Sequence, residues 1–256
     1  MIDPRAIIDP SAEIGGNVEI GPYAIIGARV SIDEDTWIGP HAVIKGPTQI
    51  GKTNKIYQFT SIGEDPQDKK YGGETTHLII GDGNIFREAC TVHRGTAQDQ
   101  GMTRIGDDNL FMAYTHVAHD CMIGNHVVMA NAASLAGHVH LHDYVTLGGF
   151  SLVHQFSKIG TYVFSAMGST IARDVPPYVM VGGVPTQPHG INVIGLERNG
   201  FQAESIRLIR KAYKIIFKEG LTLEAAFEEL SILATDHQEI VCIVDFLKQS
   251  QRGILR

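Results

Sequence analysis

Twelve histidines punctuate this chain, and seven of them, His116, His119, His126, His138, His140, His142 and His154, crowd into the stretch between the first and the last of that set. Imidazole is the side chain that titrates nearest to neutral pH, so such a group offers either general base catalysis or metal ligation. Any one of these histidines alone reads as an ordinary solvated position; the cluster is what points to chemistry. His138, His140 and His142 alternate, which on a strand would put all three side chains on one face, although a merely polar face has the same pattern. The three cysteines, Cys90, Cys121 and Cys242, lie far apart, form no CxxC and leave an odd count. Neither a disulfide framework nor a cysteine-rich zinc site is supported.

The elements that must position these groups follow from a period of six. Written in hexads from Ile105, the chain reads IGDDNL, FMAYTH, VAHDCM, IGNHVV, MANAAS, LAGHVH, LHDYVT, LGGFSL, VHQFSK, IGTYVF, SAMGST, IARDVP; eleven of these twelve units open on an aliphatic, aromatic or Met residue, and only Ser165 breaks the column. Upstream, Ile8, Ile14, Ile20, Ile26, Ile32, Ile38, Ile44, Ile50, Ile56 and Ile62 keep the same period. Six is neither the period of a helix nor that of a hairpin strand, so the chain must turn a corner once per repeat. The reading is a mainly β fold, a hexapeptide-repeat parallel β-helix of triangular section. Each hexad is one short strand plus one corner, and the opening residue points inward. Gly, Asn or Asp is expected at the corners, where positive φ is needed.

Two segments interrupt the column. Glu64 to His77 breaks the pattern for whole hexads, and Arg94 to Arg104 shifts its phase by one residue. Both read as loops extruded from a rigid wall, natural places for function. After Pro176 and Pro177 the period fades through a Gly/Pro-rich stretch read as a linker. Helical spacing follows in Ile206, Ile209, Tyr213 and Ile216, then in a segment that Thr222 would cap, then from Ile240 to Leu247. The expected division is a β-helix over 1–190 and a small C-terminal α-helical domain over 191–256.

A formal net charge of -7 supplies no basic excess for nucleic acid. No apolar run reaches the length of a membrane span, and the opening residues lack the charged and apolar regions of a signal peptide, so a cytoplasmic protein without stable membrane insertion is expected.

The ordered set IYQFTSIGE, TVHRGT, HVAHDC, LAGHVH, VHQF, DVPPYV and RGILR closely resembles the acyl-carrier-protein:UDP-N-acetylglucosamine O-acyltransferases, the first enzymes of lipid A biosynthesis. Hexads alone would indicate only a large superfamily; these non-repeating motifs extend over essentially the whole chain. The resemblance implies a left-handed coil, a homotrimer, and transfer of a 3-hydroxyacyl group from acyl carrier protein to the 3-hydroxyl of UDP-N-acetylglucosamine. It makes His119 the general base, Asp120 its support and Gly137 the backbone donor to the oxyanion. Asp120 is the less certain, because neighbouring residues on a strand point to opposite sides. Gln67, Asp68, Lys70, His116, His138, His154, Gln155, Asn192 and Arg198 match substrate-binding positions. No metal or organic cofactor is implied beyond the phosphopantetheine that carries the donor.

Ile194 and Asn199 depart from the family, standing where a glutamate and a second arginine are usual. Met167 stands where long-chain members have glycine, which implies an acyl-chain ruler with a ten-carbon-like preference, and Pro185 stands where some members have histidine. Arg207, Arg210, Lys211, Lys214 and Lys218 recur at helical spacing. In an acidic protein this basic stripe is a solvated face or, given the implied donor, a landing surface for acyl carrier protein. Two other readings remain: a metal-dependent hydratase on the same scaffold, as in the gamma-class carbonic anhydrases, and a non-enzymatic solenoid binding platform. The pair His116/His119 does not reproduce the spacing of that anhydrase class.

Overall fold

The computed structural model describes residues 1–256, the side chain of Asp236 alone excepted. The hexads wind into three walls. Wall 1 starts with Ile7–Ile8 and has nine strands, wall 2 starts with Glu13–Ile14 and has eight, and wall 3 starts with Glu19–Ile20 and has ten. Each short strand pairs in parallel with the strand three hexads later, Ile7 with Ile25 and Ile8 with Ile26. The column of opening residues is the core: Ile20, Ile26, Ile32, Ile38, Ile44, Ile50, Ile56 and Ile62 are all buried, and Phe86 stacks on Phe111 at 4.7 Å. Each such side chain contributes about 1.5–3 kcal/mol by leaving water, so the column holds the coil together. Ser165 points inward too, and the buried Ser151 hydroxyl lies 2.8 Å from its own.

The corners correct one expectation. Left-handed φ recurs at Tyr23, His41, Phe59, Tyr114, His138, Phe156 and Tyr162, well beyond Gly, Asn and Asp. Stacking along each corner offsets the ~1–2 kcal/mol that such a conformation costs. Rings lie on rings, Tyr23 on His41 at 5.2 Å and Tyr144 on Tyr162 at 4.6 Å. At the corner between walls 2 and 3 side chains also cap the preceding rung. The Lys52 N–H donates to Asp82, the Asp82 N–H to Asp107, the Asp107 N–H to Asn125 and the Asn125 N–H to Asp143, each at 2.7 Å.

Both interruptions are loops, and both leave at the corner between walls 1 and 2. The first joins Ser61–Glu64 to His77–Ile80; the second joins Thr91–His93 to Met102–Ile105. They occupy the two rungs directly before the one built from His116–Val117 and Met122–Ile123.

The stretch read as a Gly/Pro linker is instead structured. Val179–Gly182 adds to wall 3, and Gln187–Ile191 folds back antiparallel to it. Val179 and Val181 are buried and carry the inward alternation past the last clear hexad. Helices α1 (Val193–Arg198), α2 (Ala203–Phe217), α3 (Leu223–Leu233) and α4 (Gln238–Gln249) follow. α2 buries Ile206, Ile209, Tyr213 and Ile216, and the Thr222 hydroxyl caps α3 by accepting from the Ala225 N–H at 3.2 Å. The chain end returns to the solenoid, where Ser250 donates to Asp174 at 2.7 Å and Ile254 bridges to Asp174.

Candidate active site

The corner between walls 1 and 2 gathers most of the candidate catalytic groups. His119 and Asp120 are its two turn residues in their rung, Gly137 and His138 in the next, and Gln155 and Phe156 in the one after; the backbone stacks through His138 N–H to His119 O and Phe156 N–H to Gly137 O. The doubt about Asp120 came from treating it as a strand neighbour of His119. It lies instead in a turn at φ 57°, which brings the two side chains together, and His119 Nδ1–H donates to Asp120 Oδ2 at 2.9 Å.

Asp120 is held from the second loop. The Thr96 N–H donates to Oδ1 at 2.8 Å and the Thr96 hydroxyl to Oδ2 at 2.7 Å, while the Asp120 N–H donates to the Thr103 hydroxyl at 2.8 Å. Burial by itself would raise the Asp120 pKa, but the bonds from His119 and Thr96 outweigh it and hold the carboxyl below its ordinary value. The ionised carboxylate fixes the His119 proton on Nδ1 and leaves the lone pair on Nε2.

That lone-pair edge faces Gly137. A Cβ there would come within 2.5 Å of His119 Cε1 and 2.8 Å of Nε2, so only glycine allows the ring to sit where it does. Among the described residues the Gly137 N–H donates to no group of the chain. Pro10, Pro22, Pro40 and Pro177 fill the same turn position elsewhere, so the coil itself needs no N–H at this point.

His138 is fixed from several directions. It stacks on Phe156 at 4.4 Å, meets His119 edge to face at 5.2 Å, and donates from Nδ1 to Asp99 of the second loop at 2.9 Å. Its Nε2 lies 3.7 Å from Asp120 Oδ2. His119, Asp120 and His138 each offer a ligand atom, and these atoms lie within 4.8 Å of one another, a spacing that fits a metal ion. This is not the alternating face read from the sequence. His138 is a corner residue, His140 lies on Met122's neighbouring strand His140–Leu141 in wall 2, and His142 packs against Phe246 of α4. A cavity of about 410 Å³ opens beside the corner, lined by Asp99, His138, His140, Phe156, Lys158 and Arg252 among others.

His116 stands on the strand before the turn and shares a 2.8 Å hydrogen bond with the Thr91 hydroxyl. Burial, then the neighbouring His93 and His119, lower its pKa to about 4, so it stays neutral at working pH. His93 donates to the Asp65 carbonyl at 2.6 Å, and Arg94 reaches Gly63 O, Asp65 and the Tyr71 hydroxyl, tying the two loops together. Gln67, Asp68 and Lys70 lie on the first loop at this same corner, where Asp68 accepts from the Lys70 N–H at 2.9 Å. His154 and Gln155 lie one rung beyond Gly137, with His154 donating to the Gln155 carbonyl at 3.1 Å. His126 sits at a different corner, stacked on Tyr144.

Several other residues are not brought to this corner within one chain. Asn192 caps α1 through the Gly195 N–H at 3.1 Å and donates to Tyr162 O at 3.0 Å, at the corner between walls 2 and 3. Arg198, Ile194 and Asn199 are exposed on or just after α1. Met167 is 76% exposed at the corner between walls 3 and 1. Arg207, Arg210, Lys211, Lys214 and Lys218 are all exposed on or just beyond α2, and Arg207 pairs with Glu204. Sequence reasoning missed Thr96, Asp99, Thr103 and Phe156. Thr96 ends the motif TVHRGT and Phe156 ends VHQF, so the quoted motifs contained both; Asp99 carried no signal.

Comparison with known proteins agrees with this geometry. A family model described as UDP-N-acetylglucosamine O-acyltransferase, domain 2, matches residues 174–255, and one for bacterial transferase hexapeptide repeats matches residues 102–137. The chain is 57% identical over 255 residues to an acyl-[acyl-carrier-protein]–UDP-N-acetylglucosamine O-acyltransferase of Halorhodospira halophila, covering 100% of this chain and 99% of that one. It is 53% identical to the protein of the same description from Saccharophagus degradans, with the same coverage of both chains. The solved UDP-N-acetylglucosamine acyltransferase of Francisella novicida superposes with a TM-score of 0.98 at 41% identity, covering 100% of this chain and 94% of that one. The fold is accordingly a left-handed β-helix with a C-terminal helical domain.

Proposed function

The chain belongs to the acyl-[acyl-carrier-protein]–UDP-N-acetylglucosamine O-acyltransferases, and from that premise we propose how its corner of histidines performs the reaction. The enzyme transfers an acyl group from acyl carrier protein to UDP-N-acetylglucosamine, the first step of lipid A biosynthesis. In our reading His119 Nε2 takes the proton from the sugar 3-hydroxyl as that oxygen attacks the thioester carbonyl of the 3-hydroxyacyl donor. The Gly137 N–H, without a partner among the described residues, donates to the oxyanion of the tetrahedral intermediate. Collapse expels the phosphopantetheine sulfur, which takes the proton back from Nε2. Asp120 stabilises the imidazolium in between. The observation that supports this most is the 2.9 Å bond from His119 Nδ1 to Asp120, because it leaves Nε2 as the basic atom beside Gly137.

In the same reading, Gln67, Asp68, Lys70, His116, His138, His154 and Gln155 bind substrate around this corner. Asn192, Arg198 and Met167 stand at other corners, so a substrate that meets all of them must lie between copies of the chain, which supports a homotrimer. The three free thiols fit a cytoplasmic enzyme. Replacing His119 by Ala should lower turnover ~100- to 10,000-fold with the assembly and its melting temperature unchanged. A near-normal rate in that variant would overturn the assignment.

A further inference from the structure

We propose that the His119–Asp120–His138 corner is also an inhibitory zinc site, in which the ion removes the catalytic base by holding His119 in its other tautomer. The inference rests on His119 acting as the base. Tetrahedral zinc with bonds of roughly 2.0–2.2 Å spaces neighbouring ligand atoms about 3.4 Å apart. His119 Nδ1 and Asp120 Oδ2 are 2.9 Å apart, and Asp120 Oδ2 and His138 Nε2 are 3.7 Å apart. The three residues each offer a ligand atom within 4.8 Å of the others, so a small ring movement fills three corners of a tetrahedron, and water takes the fourth.

The surroundings are those that metal-binding histidines require. His138 donates from Nδ1 to the Asp99 carboxylate at 2.9 Å, which turns Nε2 toward Asp120 in the manner of a carboxylate–histidine–metal arrangement. Both Asp120 oxygens are held by Thr96, so the carboxylate is already oriented. Two carboxylates, Asp120 and Asp99, beside two imidazoles favour a divalent cation. Lys158 and Arg252, which line the adjoining cavity, are the opposing charges. With two nitrogen ligands and one oxygen, the site selects zinc over magnesium.

The chemistry balances without any co-reactant. In the resting site the His119 proton is on Nδ1, donated to Asp120. When zinc takes the Nδ1 lone pair, that proton moves through water to Nε2, and Asp120 Oδ2 exchanges a hydrogen bond for a metal bond. No proton is released overall. Nε2, the atom beside Gly137, then carries a hydrogen and has no lone pair with which to accept the proton of the sugar hydroxyl.

The test uses the full-length protein, stripped by a chelator and dialysed against zinc chloride or magnesium chloride. Bound metal is read by elemental analysis, and cobalt(II) substitution reads the ligand geometry by its visible spectrum. We expect one corner zinc per chain, turnover that falls in step with its occupancy and returns on chelation, and no inhibition by magnesium. Binding measured directly should weaken ~10- to 100-fold in Asp99→Asn and be lost in His138→Ala. Equal zinc binding by wild type and His138→Ala would overturn the site, as would full turnover with the corner ion bound. The underlying reading is judged separately, by the metal-free rate of His119→Ala. Zinc bound at the corner with that variant still active sinks the base and keeps the site; a dead variant with no zinc bound by the wild type does the reverse.

Discussion

Replacing Gly137 by Ala tests the assembled corner with a single carbon. Gly137 has no left-handed φ, so the backbone accepts alanine there. The new Cβ would stand 2.5 Å from His119 Cε1, whereas ordinary contact starts near 3.4 Å, so the ring must retreat by about 0.9 Å. It has little freedom to do so. His119 is held at 2.9 Å by Asp120 and meets His138 edge to face at 5.2 Å. A retreat of that size stretches the Nδ1–Asp120 bond toward or beyond the limit of a hydrogen bond and moves Nε2 off the attacking oxygen. A misplacement near 1 Å costs ~100-fold in rate, about 2.7 kcal/mol of transition-state stabilisation. Steady-state kinetics should therefore show kcat down roughly 100-fold in Gly137→Ala, KM for both substrates nearly constant, and a melting temperature close to wild type. Gly16→Ala is the control, since nothing lies within 4 Å of the Cβ added there. Wild-type kcat in Gly137→Ala would refute the claim that glycine is required to admit the His119 ring.

Three further expectations concern other parts of the chain. Reversing two exposed charges on α2, Arg210→Glu with Lys214→Glu, should raise KM for the acyl donor and leave KM for the sugar nucleotide nearly unchanged; equal effects on both would remove the helix as the carrier-protein landing surface. Met167→Gly should lengthen the preferred donor from a ten-carbon-like chain, because each methylene denied room forfeits ~0.8 kcal/mol of burial; competition among 3-hydroxyacyl donors of graded length reads it, and an unchanged preference rules Met167 out as the ruler. His116, with its pKa lowered to about 4 in the fold from an ordinary 6.5, binds its proton more readily when unfolded, so its contribution to stability is constant above pH 6.5 and is lost as pH falls toward 4. Denaturant unfolding at pH 7 and pH 5 should show a smaller acid loss in His116→Gln than in wild type, and an identical loss would contradict it.

The coil was legible because one physical cause, burial of an inward residue once per turn, repeats often enough to be seen without a structure. Ile20 through Ile62 announce it, and Ser165 interrupts it only because Ser151 supplies a buried partner. Corner identity was not legible. Tyr23 or Phe59 at positive φ is stabilised by the ring stacked one rung away, eighteen residues along the chain, and no local propensity reports that. Tyr178 to Gly190 reads as a linker for a related reason: its glycines and prolines describe the turn of a hairpin, while the strand pairing that orders that hairpin lies with wall 3. The resemblance supplied His119, Asp120 and Gly137, but not what holds them. Thr96 and Asp99 lie more than one rung away in sequence from the groups they bind, and only the coil brings them together.

The three corners share one period, yet they are built from different materials, and that difference explains where chemistry can reside. Between walls 2 and 3, carboxylates and amides cap the preceding rung, as Asp82, Asp107, Asn125 and Asp143 do. One oxygen of each is thereby committed to the coil. Between walls 3 and 1, the turn residues include exposed Tyr23, Phe59, Tyr114 and Phe150, which offer contact area, and the imidazole of His41 is stacked between Tyr23 and Phe59. Between walls 1 and 2, the same repeat places His119, Gly137 and Gln155 in successive rungs, and a regular coil would leave Asp120 to choose its own rotamer. The second loop removes that choice. By departing from the hexad in the rung before His119, it returns the Thr96 N–H and hydroxyl to the buried carboxylate and Asp99 to His138. The one-residue phase shift between Val92 and Ile105 is thus the sequence trace of the loop that holds Asp120 and His138. An insertion that restored the phase while deleting Thr96 would keep the fold and leave His119 without a fixed tautomer.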